Sequence, residues 1–205
     1  QVVKAWVNAA AGHTASVTTT GGTNNSTFSA TAPATGLNGT VVNVFAGDVV
    51  TLPAETFGGG ASAANYNTTL VCTGGSPLAS GAVGRNVTIT NSTTATVCTY
   101  TNSRPTLTLA KSWSGANVND AIDFTATGLT TLSSVANTGT ETDTGSAQPV
   151  NVGAAITLAE TFSTGNPADY NSVLSCVGNT TALAGNVLTV NAADTAITCT
   201  QTNTF

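Results

Sequence analysis

Charge is what this sequence has least of. Of 205 residues four are Lys or Arg, nine are Asp or Glu and one is His, so charged side chains make up 6% of the chain, against about 25% in ordinary globular proteins. A phosphate-binding face needs clustered basic residues. With Lys4, Arg85, Arg104 and Lys111 scattered through a chain of net charge −5, the expectation is no nucleic-acid partner and no anionic membrane surface. No apolar run is long enough to span a bilayer, so no membrane insertion is expected. His13, beside Gly12 and Thr14, has no Cys, Asp or Glu at ligand spacing and reads as a loop residue. Asp120, Asp123, Glu141 and Asp143 lack the oxygen-ligand loop spacing of a calcium site. One His cannot serve two hydrolase triads, and no Ser stands in a nucleophile-elbow context. No Gly-rich stretch leads from a strand into a Lys-Ser/Thr helix, as a phosphate cradle would. The expectation is a protein with no metal, no cofactor and no enzymatic action on an external substrate.

What fills the chain instead is Thr, Ser, Ala, Gly and Asn, with 40% hydrophobic residues set in short alternating runs. Those runs predict strands near residues 2–7, 15–20, 27–30, 40–45, 49–55, 66–72, 86–90 and 96–101, then 106–113, 121–127, 149–152, 155–162, 170–176, 186–190 and 196–202. About seven short strands per hundred residues is the pattern of a β-sandwich. The segments Gly58-Gly59-Gly60, Gly74-Gly75-Ser76-Pro77, Asn137–Gly145 and Gly165-Asn166-Pro167 read as turns or loops.

The chain is also written twice. Lys4-Ala5-Trp6, Leu52-Pro53-Ala54-Glu55-Thr56-Phe57, Tyr66 through Cys72, and Cys98-Thr99-Tyr100-Thr101-Asn102 return as Lys111-Ser112-Trp113, Leu158-Ala159-Glu160-Thr161-Phe162, Tyr170 through Cys176, and Cys199-Thr200-Gln201-Thr202-Asn203. The repeat divides the molecule into domains 1–104 and 105–205, with the boundary at Ser103-Arg104-Pro105. Four Cys at matched positions, with no Cys-x-x-Cys and a single His, favour disulfides in an oxidising compartment over a metal site. Pairing within each copy, Cys72 with Cys98 and Cys176 with Cys199, joins equivalent strands; pairing between copies and free thiols are the alternatives. The absence of an initiating Met is expected of a secreted chain after signal-peptide removal, and equally of a fragment.

Side chains two apart on a strand share a face. Val2, Lys4 and Trp6 share one, as do Leu107, Leu109, Lys111 and Trp113; Ile156, Leu158, Glu160 and Phe162 share another. Cys98, Tyr100 and Asn102 align, and likewise Cys199, Gln201 and Asn203. Each copy therefore directs a lysine and an asparagine inward, and the second copy a glutamate as well, where an isolated charge is costly. Burial lowers a Lys pKa and raises a Glu pKa. A neutral amine beside an Asn amide, with the acid relaying protons, is arranged for condensation with loss of ammonia. A buried Lys–Glu ion pair hydrogen-bonded to Asn, with no covalent bond, and an exposed Lys are the other readings of the same residues.

The order of Lys on the first strand, Ala-Glu-Thr followed by a loop and Tyr, and Thr-Asn on the last strand resembles the Cna-B and SpaA-type prealbumin-like domains of bacterial surface proteins and pili, over nearly the whole chain. The resemblance implies an all-β fold of two tandem Ig-like or transthyretin-like β-sandwiches with the first and last strands adjacent. It also implies an autocatalytic Lys–Asn isopeptide bond: Lys4 and Lys111 as nucleophiles, Asn102 and Asn203 as acceptors, Glu55 and Glu160 as proton relays. Pro53 is extra in the first copy, which calls for a bulge before Glu55, and paired cysteines are a further departure from the family pattern. The expected function is a structural subunit or stalk of a secreted bacterial surface fibre, partnered by further copies or by neighbouring repeats of a longer surface protein. The alternative is an adhesin-type module binding carbohydrate or host protein through a loop such as 137–145 or 58–65.

Overall fold

A computed structural model describes residues 1–34, 36–76, 78–81 and 85–205. The chain forms two compact units, Gln1–Arg104 and Pro105–Phe205.

The second unit is the more regular. Its strands are β11 (Thr106–Ser114), β12 (Ala121–Ala126), β13 (Leu132–Val135), β14 (Glu141–Thr144), β15 (Gln148–Pro149), β16 (Ala155–Thr164), β17 (Asn171–Val177), β18 (Val187–Thr189) and β19 (Ala196–Thr204). One sheet runs β14-β11-β19-β17, with β15 also on β11; the other runs β13-β12-β16-β18. First and last strands pair in parallel, placing Lys111 opposite Gln201 and Trp113 opposite Asn203. Both sheets turn apolar faces inward: Leu107, Leu109 and Trp113 meet Ile122, Phe124, Ile156, Leu158 and Leu188 in one core. This is the sandwich architecture that alternation along short strands requires.

The strands of the first unit are β1 (Val2–Val7), β2 (Thr14–Thr18), β3 (Thr27–Thr31), β4 (Leu37–Asn38), β5 (Val49–Leu52), β6 (Thr56–Gly58), β7 (Asn67–Thr73), β8 (Leu78–Gly81), β9 (Arg85–Thr88) and β10 (Val97–Ser103). One sheet runs β4-β1-β10-β7-β8, again with a parallel first–last pair that sets Lys4 opposite Tyr100 and Trp6 opposite Asn102. The facing layer is split into β3-β2-β6 and β5-β9. The break falls at Pro53, Ala54 and Glu55, which belong to no strand. Proline lacks the N–H that a central strand must donate, so the strand continuous in β16 is here cut in two rather than bulged. The core divides with it, into Val2, Val17, Leu52, Leu70, Val87 and Tyr100 on one side, and Trp6, Ala15, Ala32 and Tyr66 on the other. Along β1, Lys4 lies between the two clusters.

Several sequence expectations give way. The alternating run 40–45 forms no strand: Gly39 donates its N–H to Val2 O, and the chain beyond it has passed the start of β1 with nothing left to pair. The segment 137–145, expected as a loop, contains β14, whose all-polar Glu-Thr-Asp-Thr carries no apolar alternation and is held by its ladder to Ala110–Trp113. Strands β8 and β13 are likewise unforeseen, and the run expected at 149–152 shortens to β15. Pro77, placed in a turn from sequence, lies outside the described residues.

One glycine position repeats and is required. Gly74 and Gly178 each follow the first cysteine strand at φ +98° and +84°, and a Cβ there would lie 2.0 Å from Ala95 O and 2.1 Å from Ala196 O. Only glycine admits that turn.

Candidate functional site: two buried lysine, glutamate and asparagine clusters

Period-2 geometry places the second cluster. Lys111 is at the centre of β11, Asn203 near the end of the adjacent β19, and Glu160 on β16 of the facing sheet, opposite Phe124 of β12. Lys111 and Asn203 are 0% exposed. Lys111 Nζ donates to Glu160 Oε1 at 2.9 Å and Asn203 Nδ2 donates to the same oxygen at 2.8 Å, so amine and amide converge on one carboxylate. Gln201 Nε2 donates to Glu160 Oε2 at 3.3 Å, and Ser172 Oγ donates to Asn203 Oδ1 at 3.0 Å with Glu160 Oε2 at 3.4 Å. The carboxylate accepts only, which fixes the amide: its NH2 faces Glu160 and its oxygen faces Ser172.

An aromatic wall closes one side. Lys111 Nζ lies 4.1 Å from the centre of the Trp113 ring, and Trp113 packs edge-on against Phe162 and Tyr170 at 6.3 and 5.8 Å. The Trp113 indole donates to Ser134 Oγ at 2.8 Å, which in turn donates to Asp143 Oδ2 at 2.5 Å. Burial pushes the Lys111 amine below the usual lysine range, partly opposed by its bond to Glu160 and that carboxylate's charge.

The first cluster has the same parts, incompletely joined. Lys4 Nζ lies 3.1 Å from Glu55 Oε1, with both side chains almost fully buried, and it also donates to Tyr100 O at 3.4 Å. The extra Pro53 therefore does not prevent the ion pair. Asn102 is 0% exposed, yet neither its Nδ2 nor its Oδ1 finds a hydrogen-bond partner among the described residues; nor do Glu55 Oε2 and Trp6 Nε1. Where the second unit has Gln201 reaching Glu160, the first has Tyr100, whose hydroxyl donates to Pro53 O at 2.8 Å. Burial lowers the Lys4 pKa to about 8, opposed by Glu55, and holds the Tyr100 phenol above its usual range.

Cys72 and Cys98 are disulfide-bonded, as are Cys176 and Cys199. Each bridge joins directly opposed residues of neighbouring antiparallel strands, β7 to β10 and β17 to β19. The acidic residues set aside from sequence are structural here. Asp120 accepts from the Tyr170 hydroxyl at 2.5 Å, Asp123 from Ser133 at 2.6 Å, and Glu141 from the Asn137 N–H. His13 is half-buried, with Nδ1 2.5 Å from the Tyr66 hydroxyl. Ser172 and Ser134 were not singled out from sequence, and Asp143 was weighed there only as a cation ligand. The signal for Ser172 was its place two residues after Tyr170, but a Ser in a chain full of Ser and Thr does not announce itself.

A second concavity, of about 470 Å³, opens in the first unit between the irregular 41–45 segment and the sheet; Val2, Phe45, Leu52, Val87 and Ile89 are among its lining residues.

Tandem all-β sandwiches, each with parallel adjacent first and last strands over a buried Lys–Glu pair, define the class as prealbumin-like domains. The chain belongs to the SpaA-type prealbumin-like fold domain family, which it matches twice, at residues 4–104 and 106–205. Similar solved structures include the C-terminal fragment of the pilus adhesin SpaC from Lactobacillus rhamnosus GG, at 12% identity over 100% of this chain and 95% of that one with a TM-score of 0.37. Another is the major pilin T-13 from a Streptococcus pyogenes serotype, at 11% identity over 98% and 96% with a TM-score of 0.31. No curated protein matches the chain.

Proposed function

We propose that this chain is a structural element, a stalk or repeating subunit, of a secreted bacterial surface fibre, made resistant by covalent fastening inside each domain. The observation that carries the proposal is the shared carboxylate of the second unit: Glu160 Oε1 holds the fully buried Lys111 amine and Asn203 amide at 2.9 and 2.8 Å. An ion pair alone is a poor reason to bury these groups, since desolvation offsets most of the Coulomb gain. A covalent product accounts for it.

The chemistry balances on the residues present. Lys111 passes a proton to Glu160 and attacks Asn203 Cγ as a neutral amine, and the carbonyl electrons move to Oδ1. Glu160 gives its proton to Nδ2 and takes one from the new C–N bond's nitrogen. The electrons on Oδ1 return to re-form the carbonyl, the C–Nδ2 bond breaks, ammonia leaves, and Glu160 retains the second proton that the lysine nitrogen surrendered. In the first unit the same reaction between Lys4 and Asn102 is slower, because the Asn102 amide is not held on Glu55.

Assembly with further copies or with neighbouring repeats follows from the fibre role. The outer edge of β17 pairs with no strand among the described residues and carries exposed Val173 and Val177, so strand addition would occur there. A second reading, an adhesin-type binding module, is favoured by the first-unit cleft, whose volume falls in the ligand-pocket range.

Intact-mass measurement of the reduced, denatured chain tests the fastening. One ammonia fewer than the sequence mass is expected from the second unit, and the unmodified mass overturns it. Negative-stain images at rising concentration test the fibre role: filaments or end-on chains are expected, and particles that stay single count against self-assembly.

A further inference from the structure

We propose that Ser172 is a catalytic residue of the Lys111–Asn203 condensation, its hydroxyl being the donor that stabilises the negative charge developing on Asn203 Oδ1. The inference rests on the isopeptide reading above and adds a group that the lysine, glutamate and asparagine pattern does not contain.

An amide is a poor electrophile, and attack on Cγ loads charge onto its oxygen. That oxygen needs a fixed hydrogen-bond donor before the reaction begins. Glu160 cannot supply it in this arrangement. Its Oε1 accepts from both Lys111 and the Asn203 NH2, and its Oε2 accepts from Gln201, so the carboxyl faces the leaving nitrogen rather than the carbonyl. The hydroxyl of Ser172 faces the carbonyl, at 3.0 Å from Oδ1, closer than its 3.4 Å to Glu160 Oε2. Donation to Oδ1 is the shorter of the two and leaves Glu160 free to relay protons.

The position is set by the ladder. β17 pairs with β19 in a register that puts Ser172 directly opposite Asn203. Ser172 is exposed on this edge strand, whereas Lys111 and Asn203 are fully buried. The same residue therefore meets the carbonyl side of the reacting amide from the solvent-exposed strand. In the first unit Thr68 occupies the corresponding place opposite Asn102, but Asn102 Oδ1 receives no donor among the described residues. The two units thus differ in this one interaction as well as in the amide's contact with the glutamate.

The test follows ammonia loss by intact mass in the freshly synthesised full chain, over time and across pH, with tryptic mapping after denaturation. Cleavage after Lys111 marks chains in which that lysine is still free. Ser172→Ala is expected to slow loss from the second unit by about a hundredfold, the typical effect of removing one oxyanion donor. Ser172→Thr, which keeps the hydroxyl, is expected to retain most of the rate. The midpoint of the pH profile should stay where the parent has it, because Ser172 does not titrate there, its 3.4 Å contact with Glu160 Oε2 is the longer of its two, and the direct Lys111–Glu160 bond remains. A formed Cys176–Cys199 bridge in each variant confirms folding of the unit. Parental rates in Ser172→Ala overturn the assignment, as does a shifted midpoint, which would make Ser172 a structural support of the ion pair. A parental chain that never loses ammonia overturns the isopeptide reading and this inference together; loss in the parent and equally in Ser172→Ala overturns this one alone.

Discussion

At the scale of single residues, each unit owes its character to how well a buried polar group is matched. Lys111 is surrounded by partners, and removing Glu160 would strand its charge. Glu160→Ala should destabilise the second unit by about 3–5 kcal/mol and abolish ammonia loss, measured by calorimetry and mass. A variant of parental stability would show that the pair is dispensable. Lys4 carries a pH signature. Its folded pKa is about 8 against 10.5 for the free side chain, so between these values the unfolded chain binds the extra proton. Stability of an uncross-linked first unit therefore rises as pH increases from about 8 to 10.5 and the desolvation penalty disappears. Denaturant midpoints of the first unit in an Asn102→Ala chain, in which Lys4 has no amide to join, would show this, and a flat or falling profile would contradict it. Inward orientation of Lys4, Lys111, Glu160, Asn102 and Asn203 was legible from strand parity. Ser172, which reaches Asn203 and Glu160, and the Ser134–Asp143 pair behind Trp113 were not, because each comes from a strand whose register no local pattern specifies.

At the scale of elements, Pro53 separates the two halves of the molecule. The alternation through Leu52 and Glu55 predicts one strand, and the extra residue predicts a bulge. The outcome is instead two short strands, β5 and β6, with the glutamate in the gap. Deleting Pro53 recreates the Leu-Ala-Glu-Thr-Phe of β16, with Leu and Glu on one face. The deletion should join the strands and raise the rate of ammonia loss from the first unit toward that of the second; an unchanged rate would show that the break is not what limits the site. The disulfides act on the same scale. Each closes a loop with sequence separation 26 or 23, and on the chain-entropy estimate each stabilises its unit by about 3 kcal/mol. Reduction should lower the thermal midpoint of both units. Two of the strands that escaped sequence reading, β13 and β14, show why: in Leu-Ser-Ser-Val the buried position is Ser134 while Val135 is exposed, and Glu-Thr-Asp-Thr has no apolar residue at all, so hydrophobic periodicity is silent and the backbone ladder makes the strand.

At the scale of the whole molecule, a surface with almost no charge leaves proteases little to find. Lys4 and Lys111 are 1% and 0% exposed, Arg85 is half-buried in β9 and Arg104 directly precedes Pro105, so trypsin should leave the folded chain largely intact. After denaturation and reduction it should still fail to cut at Lys111 wherever that lysine is joined to Asn203. Cleavage there at full yield would exclude the bond. The sequence by itself determined the double repeat, the all-β class, and which faces bear the lysine, glutamate and asparagine, because alternation in a strand obliges neighbours two apart to share a side. Only the tertiary structure decided that the amide reaches the carboxylate in one unit and not in the other. That depends on ångström-scale register between strands far apart in the chain, on a proline that breaks one sheet, and on a serine opposite Asn203 that is brought there by pairing rather than by any local preference.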